Sequence, residues 1–304
     1  MIVNEVLYKD THALELRTKT LRAAVVPQQG GKIVSFRGTN GGREYLLQNP
    51  SKTFLPMGMQ DDFVACECAG FDDMFPTIDP VSLTCEDGTE LSYPDHGEVC
   101  RVPFTAEIDE CSLTLRYESE ALGYSYEKRF TEDADGGLRI VYRIHNHSPR
   151  DLNVLWAGHF LLNVDKGGRF IIPFGEGEDA DVMFDTAGLF NAGERITLRD
   201  ELLYTNWETD FPVCRKLYFP RQAPEGYISY RYPTGEEITM EFDKNQLPYI
   251  GLWFNLGYLN GAYCAGLEPA SVGYDTVKNA ERYGQSDVLK KGCCKEFFLK
   301  LSIK

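Results

Sequence analysis

The sequence is short of histidine and short of positive charge. Only five histidines occur in 304 residues, at positions 12, 96, 145, 147 and 159, so each one in a marked context is a candidate for chemistry. Thirty-one Lys and Arg face 46 Asp and Glu, a net charge of −15. That balance excludes a basic nucleic-acid footprint and disfavours anionic membranes. No apolar run approaches the length of about 18 residues that a membrane-spanning helix needs. The N-terminus, MIVNEVLYKD, lacks a basic stretch leading into an apolar core, so no secretory signal is expected. Nine cysteines, an odd number, predict free thiols in a reducing, cytoplasmic setting. Cys66-Glu67-Cys68 and Cys293-Cys294 lack the spacing of a zinc site, and no structural metal is expected. Repeats, heptads and Pro/Ser-rich linkers are also missing, so residues 1–304 read as one domain.

What is present is strand signal. Aromatics make up 12% of the chain, including 17 Tyr and 18 Phe, which suits pleated surfaces. Residues 21–26, 32–37, 112–117, 124–130, 138–144, 237–242 and 295–303 read as strands. Thr39-Asn40-Gly41-Gly42 predicts a turn that leads into a hairpin strand at 44–48. Leu138, Ile140, Tyr142 and Ile144 alternate as one half-buried face. Helix signals are few and short, at 198–203 and 276–283. The expected fold class is all-β, a large sandwich.

The segment 248–276 ends an apolar strand on a carboxylate. By period 2, Ala262, Cys264, Gly266 and Glu268 share a small, roomy face. A carboxylate there must be paired, wet or used, and a raised pKa would make it a base poised near neutral pH. In 151–165, His159 points away from the bulkier side. In 249–257, Ile250, Leu252, Phe254 and Leu256 form the core side, and Tyr249, Gly251, Trp253, Asn255 and Gly257 the other. Trp, Tyr, Asn and His over small neighbours suit a sugar: aromatics stack on the pyranose face, and amides and imidazole bond its hydroxyls. His96 sits in Tyr93-Pro94-Asp95-His96-Gly97-Glu98. One carboxylate and two imidazoles suffice for acid–base chemistry without metal or cofactor. Plainer roles exist for each: a hydrogen-bonded core histidine at 159, a turn at His96, an ion pair of Glu268 with Arg282, and a core Trp253. Periodicity alone does not bring the three groups together.

Several segments in order resemble the aldose 1-epimerase (galactose mutarotase-like) family. They are Gly30-Gly31-Lys32-Ile33-Val34-Ser35-Phe36, Asp73-Met74-Phe75-Pro76-Thr77-Ile78, Pro94-Asp95-His96-Gly97, Tyr126-Glu127-Lys128-Arg129-Phe130, Gly158-His159-Phe160, Leu252-Trp253 and Leu267-Glu268-Pro269. The resemblance implies a large antiparallel β-supersandwich and an enzyme that interconverts the anomers of a small-molecule aldose. It implies Glu268 as base, His159 as acid and His96 as a hydrogen-bonding partner near the ring oxygen or O1, with no cofactor. Expected substrate-binding residues are Trp253, Asn255, Asp73 and Arg101, with Asp210 and Asp275 as further candidate aspartates. The hexose-6-phosphate branch has His-Gly-Phe-Ala-Arg, whereas this chain has His-Gly-Glu-Val-Cys-Arg, which moves Arg101 one place late; the Asn-rich run of the galactose branch is replaced by Leu91-Ser92-Tyr93-Pro94-Asp95. The alternative function is a non-catalytic carbohydrate-binding or sugar-sensing protein on the same fold.

Overall fold

The computed structural model describes residues 1–85, 87–205 and 212–304. Two large antiparallel sheets carry the chain. The first has eleven strands, in the spatial order Ile2–Tyr8, Thr11–Arg17, Leu21–Val26, Lys32–Gly38, Phe71–Met74, Ala157–Asn163, Tyr263–Ala270, Tyr249–Leu256, Val213–Tyr218, Asp179–Asp185 and Arg195–Thr197. The second has eight: Arg169–Ile171, Tyr227–Arg231, Glu237–Phe242, Cys294–Ile303, Leu138–Asn146, Tyr124–Glu132, Ser112–Ser119 and Thr105–Ile108. The expected all-β sandwich is the fold observed.

Burial follows position in the sheet. The edge strand Ile2–Tyr8 has no buried residue, whereas Val213–Tyr218 and Phe71–Met74 are buried throughout. A strand buried on both faces is covered on both. Here the second sheet, with Tyr126, Ile140, Tyr142 and Phe297 in the common core, covers one face. Irregular chain, including residues 39–70, lies over the other. That second face is where polar side chains gather.

The sandwich core itself holds a polar layer. Asp73 accepts hydrogen bonds from Lys128 Nζ at 2.8 Å and Tyr142 Oη at 3.0 Å, and Trp156 Nε1 donates to Tyr126 Oη at 2.7 Å. Asp73 is therefore committed between the sheets and does not line the cleft described below, against the expectation of a substrate-binding role. Neighbouring strand residues point to opposite faces, so Asp72 takes the other side, where it pairs with Lys32.

The segment at 44–48 does not form the expected hairpin strand. Only Leu46 makes a bridge, to Leu162, and Glu44 uses its carboxylate on Phe36 N and Ser35 Oγ instead. A carboxylate that satisfies the backbone donors of its neighbour takes the place of a ladder. The two short helices fall as read: a 3₁₀ turn at Asp200–Leu203, and an α-helix Val277–Arg282 whose start is capped by Thr276 accepting from Asn279 N.

Asp73→Ala should destabilise the protein by about 3–5 kcal/mol, because it leaves the Lys128 ammonium buried and unpaired. Urea unfolding measures this, and a loss below about 1 kcal/mol would show the pair to be dispensable.

Candidate active site

Strand register assembles the site. Phe160 pairs with Leu267, which sets His159 across from Glu268; His159 also pairs with Asp72, Glu268 with Gly251, and Gly251 with Tyr218. One row thus runs Asp72, His159, Glu268, Gly251, Tyr218 across five neighbouring strands. Two residues further along, Leu161, Gly266, Trp253 and Lys216 form a second row. Residues two apart share a face, so both rows look the same way, into a cleft of about 240 Å³.

Glycine leaves the room for Glu268. A Cβ on Gly266 would sit 2.9 Å from Glu268 Oε1, and one on Gly251 would sit 3.0 Å from Oε2. The carboxylate stands in a slot where two side chains are missing, as the small face of 262–268 suggested. It is 1% exposed. Its neighbours are His159 Nε2, 3.8 Å from Oε1, and Lys216 Nζ, 3.0 Å from Oε2. Burial raises the Glu268 pKa, with Lys216 opposing and Asp275 adding to the rise.

Lys216 Nζ also lies 2.6 Å from Asp275 Oδ1, which accepts from Tyr218 Oη at 2.7 Å. Burial pulls the lysine pKa down, but Asp275 and then Glu268 outweigh it, leaving it well above its ordinary value. Asp275, one of the candidate aspartates, is thus in the site; Asp210 lies outside the described residues. Lys216 was missed by sequence reading. Its signal was a lysine beside Arg215 in the short strand segment Val-Cys-Arg-Lys-Leu-Tyr, in the period of Cys214 and Tyr218. The suggested Glu268–Arg282 pair is replaced by Glu268–Lys216.

The histidines meet edge to face, with ring centroids 5.6 Å apart. Phe63 stacks flat on His96 at 3.8 Å and presents its edge to His159 at 5.6 Å. His96 holds a left-handed backbone, φ 58°, and so does Gly97, where a Cβ would come within 2.2 Å of Phe75 O. Only glycine fits that approach. His96 N donates to Ile78 O. Asp275 O in turn accepts from Ile78 N and Asp79 N, and Tyr274 and Asp275 are both left-handed, at φ 68° and 67°. Such strain persists only where surroundings fix it; here it ties the His96 turn to the end of the Glu268 strand. Burial, then His96, Lys216 and Lys32, hold the His159 pKa well below its usual range.

Trp253 is half-buried in the cleft wall, its ring 6.1 Å from His159. Asn255 also lines the cleft, but its amide is committed to Leu259 and Ala262 O and to Leu259 N, so it shapes the 257–262 turn and does not offer free groups to a ligand. Arg101 is outside the cleft. Its guanidinium donates to Asp95 O twice and to Gly58 O and Asp61 O, stapling the loop of His96 to the loop of Phe63. Among the described residues no cluster of three His, Cys, Asp or Glu is arranged to hold a metal, and no helix is long and apolar enough to cross a membrane.

A pH dependence of stability follows from His159. Its folded-state proton affinity is below that of the unfolded chain, about 6.5, so the unfolded state binds the extra proton and stability falls as pH drops through that value. The melting temperature of His159→Gln should therefore decline less steeply than wild type between pH 7 and pH 5. Parallel curves would contradict a neutral, buried imidazole.

No protein-family model and no curated protein matches the sequence. Solved structures do. A galactose mutarotase-like protein from Clostridium acetobutylicum superposes with a TM-score of 0.70 at 14% identity, covering 100% of this chain and 98% of the other. A protein provisionally named aldose 1-epimerase from Escherichia coli K12 gives 0.68 at 17% identity, covering 100% and 99%. Another so named, from Klebsiella pneumoniae, gives 0.71 at 15% identity, covering 98% and 81%. At such identities the likeness is one of fold, and the fold of this chain is that of the galactose mutarotase-like proteins whose motifs its sequence resembles.

Proposed function

We propose that the cleft binds an aldose and interconverts its α and β anomers. Glu268 takes the proton of the anomeric O1 hydroxyl, the bond from C1 to the ring oxygen breaks, and His159 gives a proton to that oxygen. Rotation about C1–C2 turns the aldehyde over. The ring oxygen then attacks the other face, Glu268 returns its proton to O1, and His159 recovers its own. The observation that carries this reading is a buried carboxylate 3.8 Å from an imidazole nitrogen, on a cleft wall that includes Trp253. His96, held flat against Phe63, supplies a hydrogen bond near O1 or the ring oxygen, and Trp253 offers the apolar face of a sugar its stacking partner.

The working combination is ionised Glu268 with protonated His159. Burial pushes the first pKa up and the second down, so the two ranges approach each other and the rate follows a narrow bell. The imidazolium that does form is a strong acid, suited to the weakly basic ring oxygen. Ring opening proceeds slowly in water unaided, and one placed acid or base contributes about 100- to 10,000-fold.

Proton NMR of anomeric exchange tests the reading on a panel of free aldoses and their 6-phosphates. Wild type should accelerate exchange of one sugar class, and Glu268→Gln and His159→Ala should lose at least about 100-fold without losing the fold. Ligand-dependent line broadening with no exchange would assign a binding or sensing role instead. Gly266→Ala should keep its melting temperature yet lose about 100-fold in rate, since its Cβ displaces Glu268 Oε1, the movable end of a side chain, and not backbone. An undiminished rate would show that the slot does not govern the carboxylate.

A further inference from the structure

The mechanism above gives no task to Lys216, the buried cation nearest to Glu268. Lys216 lies on the ninth of the eleven strands, covered on both faces, 5% exposed and facing the cleft. A lysine in that position costs several kcal/mol of desolvation unless it is well paired. Its two partners, Glu268 and Asp275, come from chain segments on either side of Ala270, so the ammonium holds the end of the Glu268 strand and the left-handed turn of Tyr274 and Asp275 in one place.

We propose that Lys216 is the positioning residue of the site: its ammonium keeps Glu268 ionised and aimed into the cleft, while Asp275 sets how much of that charge Glu268 receives. The inference rests on Glu268 as the working carboxylate. The groups facing Glu268 are few. The strand Val213–Tyr218 brings Lys216, Tyr218 and the thiol of Cys214, the strand Ala157–Asn163 brings His159, the His96 turn brings His96, and the segment after Ala270 brings Asp275; the strand Tyr249–Leu256 contributes uncharged Gly251 and Trp253. Lys216 makes the nearest cationic contact, at 3.0 Å, and burial lowers the proton affinity of the His159 imidazole. Tyr218 directs its hydroxyl to Asp275 and not to Glu268.

The arrangement makes predictions of opposite sign. Without Lys216, burial and Asp275 both disfavour ionised Glu268, so its proton affinity rises. Without the Asp275 charge, Lys216 serves Glu268 alone, and its proton affinity falls. The carboxyl signal of Glu268 can be followed by carbon-13 NMR in ligand-free protein labelled at glutamate, with Glu268→Gln identifying the resonance. Lys216→Met should raise the titration midpoint by at least about one pH unit, a tenfold change in proton affinity. Asp275→Asn should lower it. The double variant Lys216→Met with Asp275→Asn keeps the net charge of the site, guards against misfolding of the single variant, and should titrate between wild type and Lys216→Met. A Lys216→Met midpoint equal to wild type, or an upward move in Asp275→Asn, would overturn the inference. The titration needs no turnover, so it stands or falls separately from the sugar reaction. Where exchange is observed, the pH optimum of kcat/KM should move in the same direction as the midpoint in each variant; an unmoved optimum would count against Lys216 acting through Glu268.

Discussion

Two buried carboxylates share one ammonium. Glu268 and Asp275 both contact Lys216 Nζ, and much of the site is arranged around that contact. Breaking a buried charge cluster costs far more than an exposed pair is worth, so the three groups fix one another. The Tyr274–Asp275 turn, strained in itself, is held by the same charge and by the amides of Ile78 and Asp79 on its carbonyl. Through Ile78 O the hold extends to His96. An ion triad drawn from two strands and a turn thereby places an imidazole on a loop, and the chemistry proposed for Glu268 and His159 operates inside a frame that is already rigid.

A second polar layer lies beneath, between the sheets. Asp73, Lys128 and Tyr142 form one satisfied group, with Tyr126 and Trp156 beside it. Fully bonded polar groups in a core specify one packing arrangement more sharply than apolar contact does. Trp156 is one residue before the strand of His159, so the layer fixes where that strand begins. Arg101 contributes to the same rigidity from the loop side. A buried guanidinium that spends its donors on backbone carbonyls of two loops makes those loops one body, and Phe63 reaches His96 because of it.

The parts of the site that could be read from sequence are those that depend on local period. The small face through Gly266 to Glu268, the core face of Ile250, Leu252 and Phe254, and the outward His159 all follow from alternation of two. The short helix signal at 276–283 was likewise local. What escaped depends on partners distant in the chain. Asp73 looked like a ligand-binding aspartate because its companions, Lys128 and Tyr142, lie 55 and 69 residues away. Arg101 and Asn255 have side chains suited to a sugar, yet both are consumed by backbone carbonyls that only the folded loops bring near. Lys216 lay unread for the converse reason: a lysine in a strand is ordinarily a solvated edge residue, and its carboxylates are 52 and 59 positions on, by difference from Glu268 and Asp275. The 44–48 segment has strand composition, but its backbone bonds are divided between Phe36 on one side and Leu161 and Asn163 on the other, so no hairpin ladder forms.

The two rows of side chains have a consequence for how such a protein can vary over generations. Each working group sits on a different strand, and its face is decided by parity. Insertion or deletion of a single residue within any of the five strands would turn everything beyond it to the opposite face, sending Glu268 into the apolar layer and Leu267 into the cleft. The strands therefore act as a ruler whose marks cannot slide, and length change is confined to the connections between them. A lineage on this frame can exchange loops, and with them ligands, far more freely than it can alter the count of residues from Val213 to Tyr218 or from Tyr263 to Ala270.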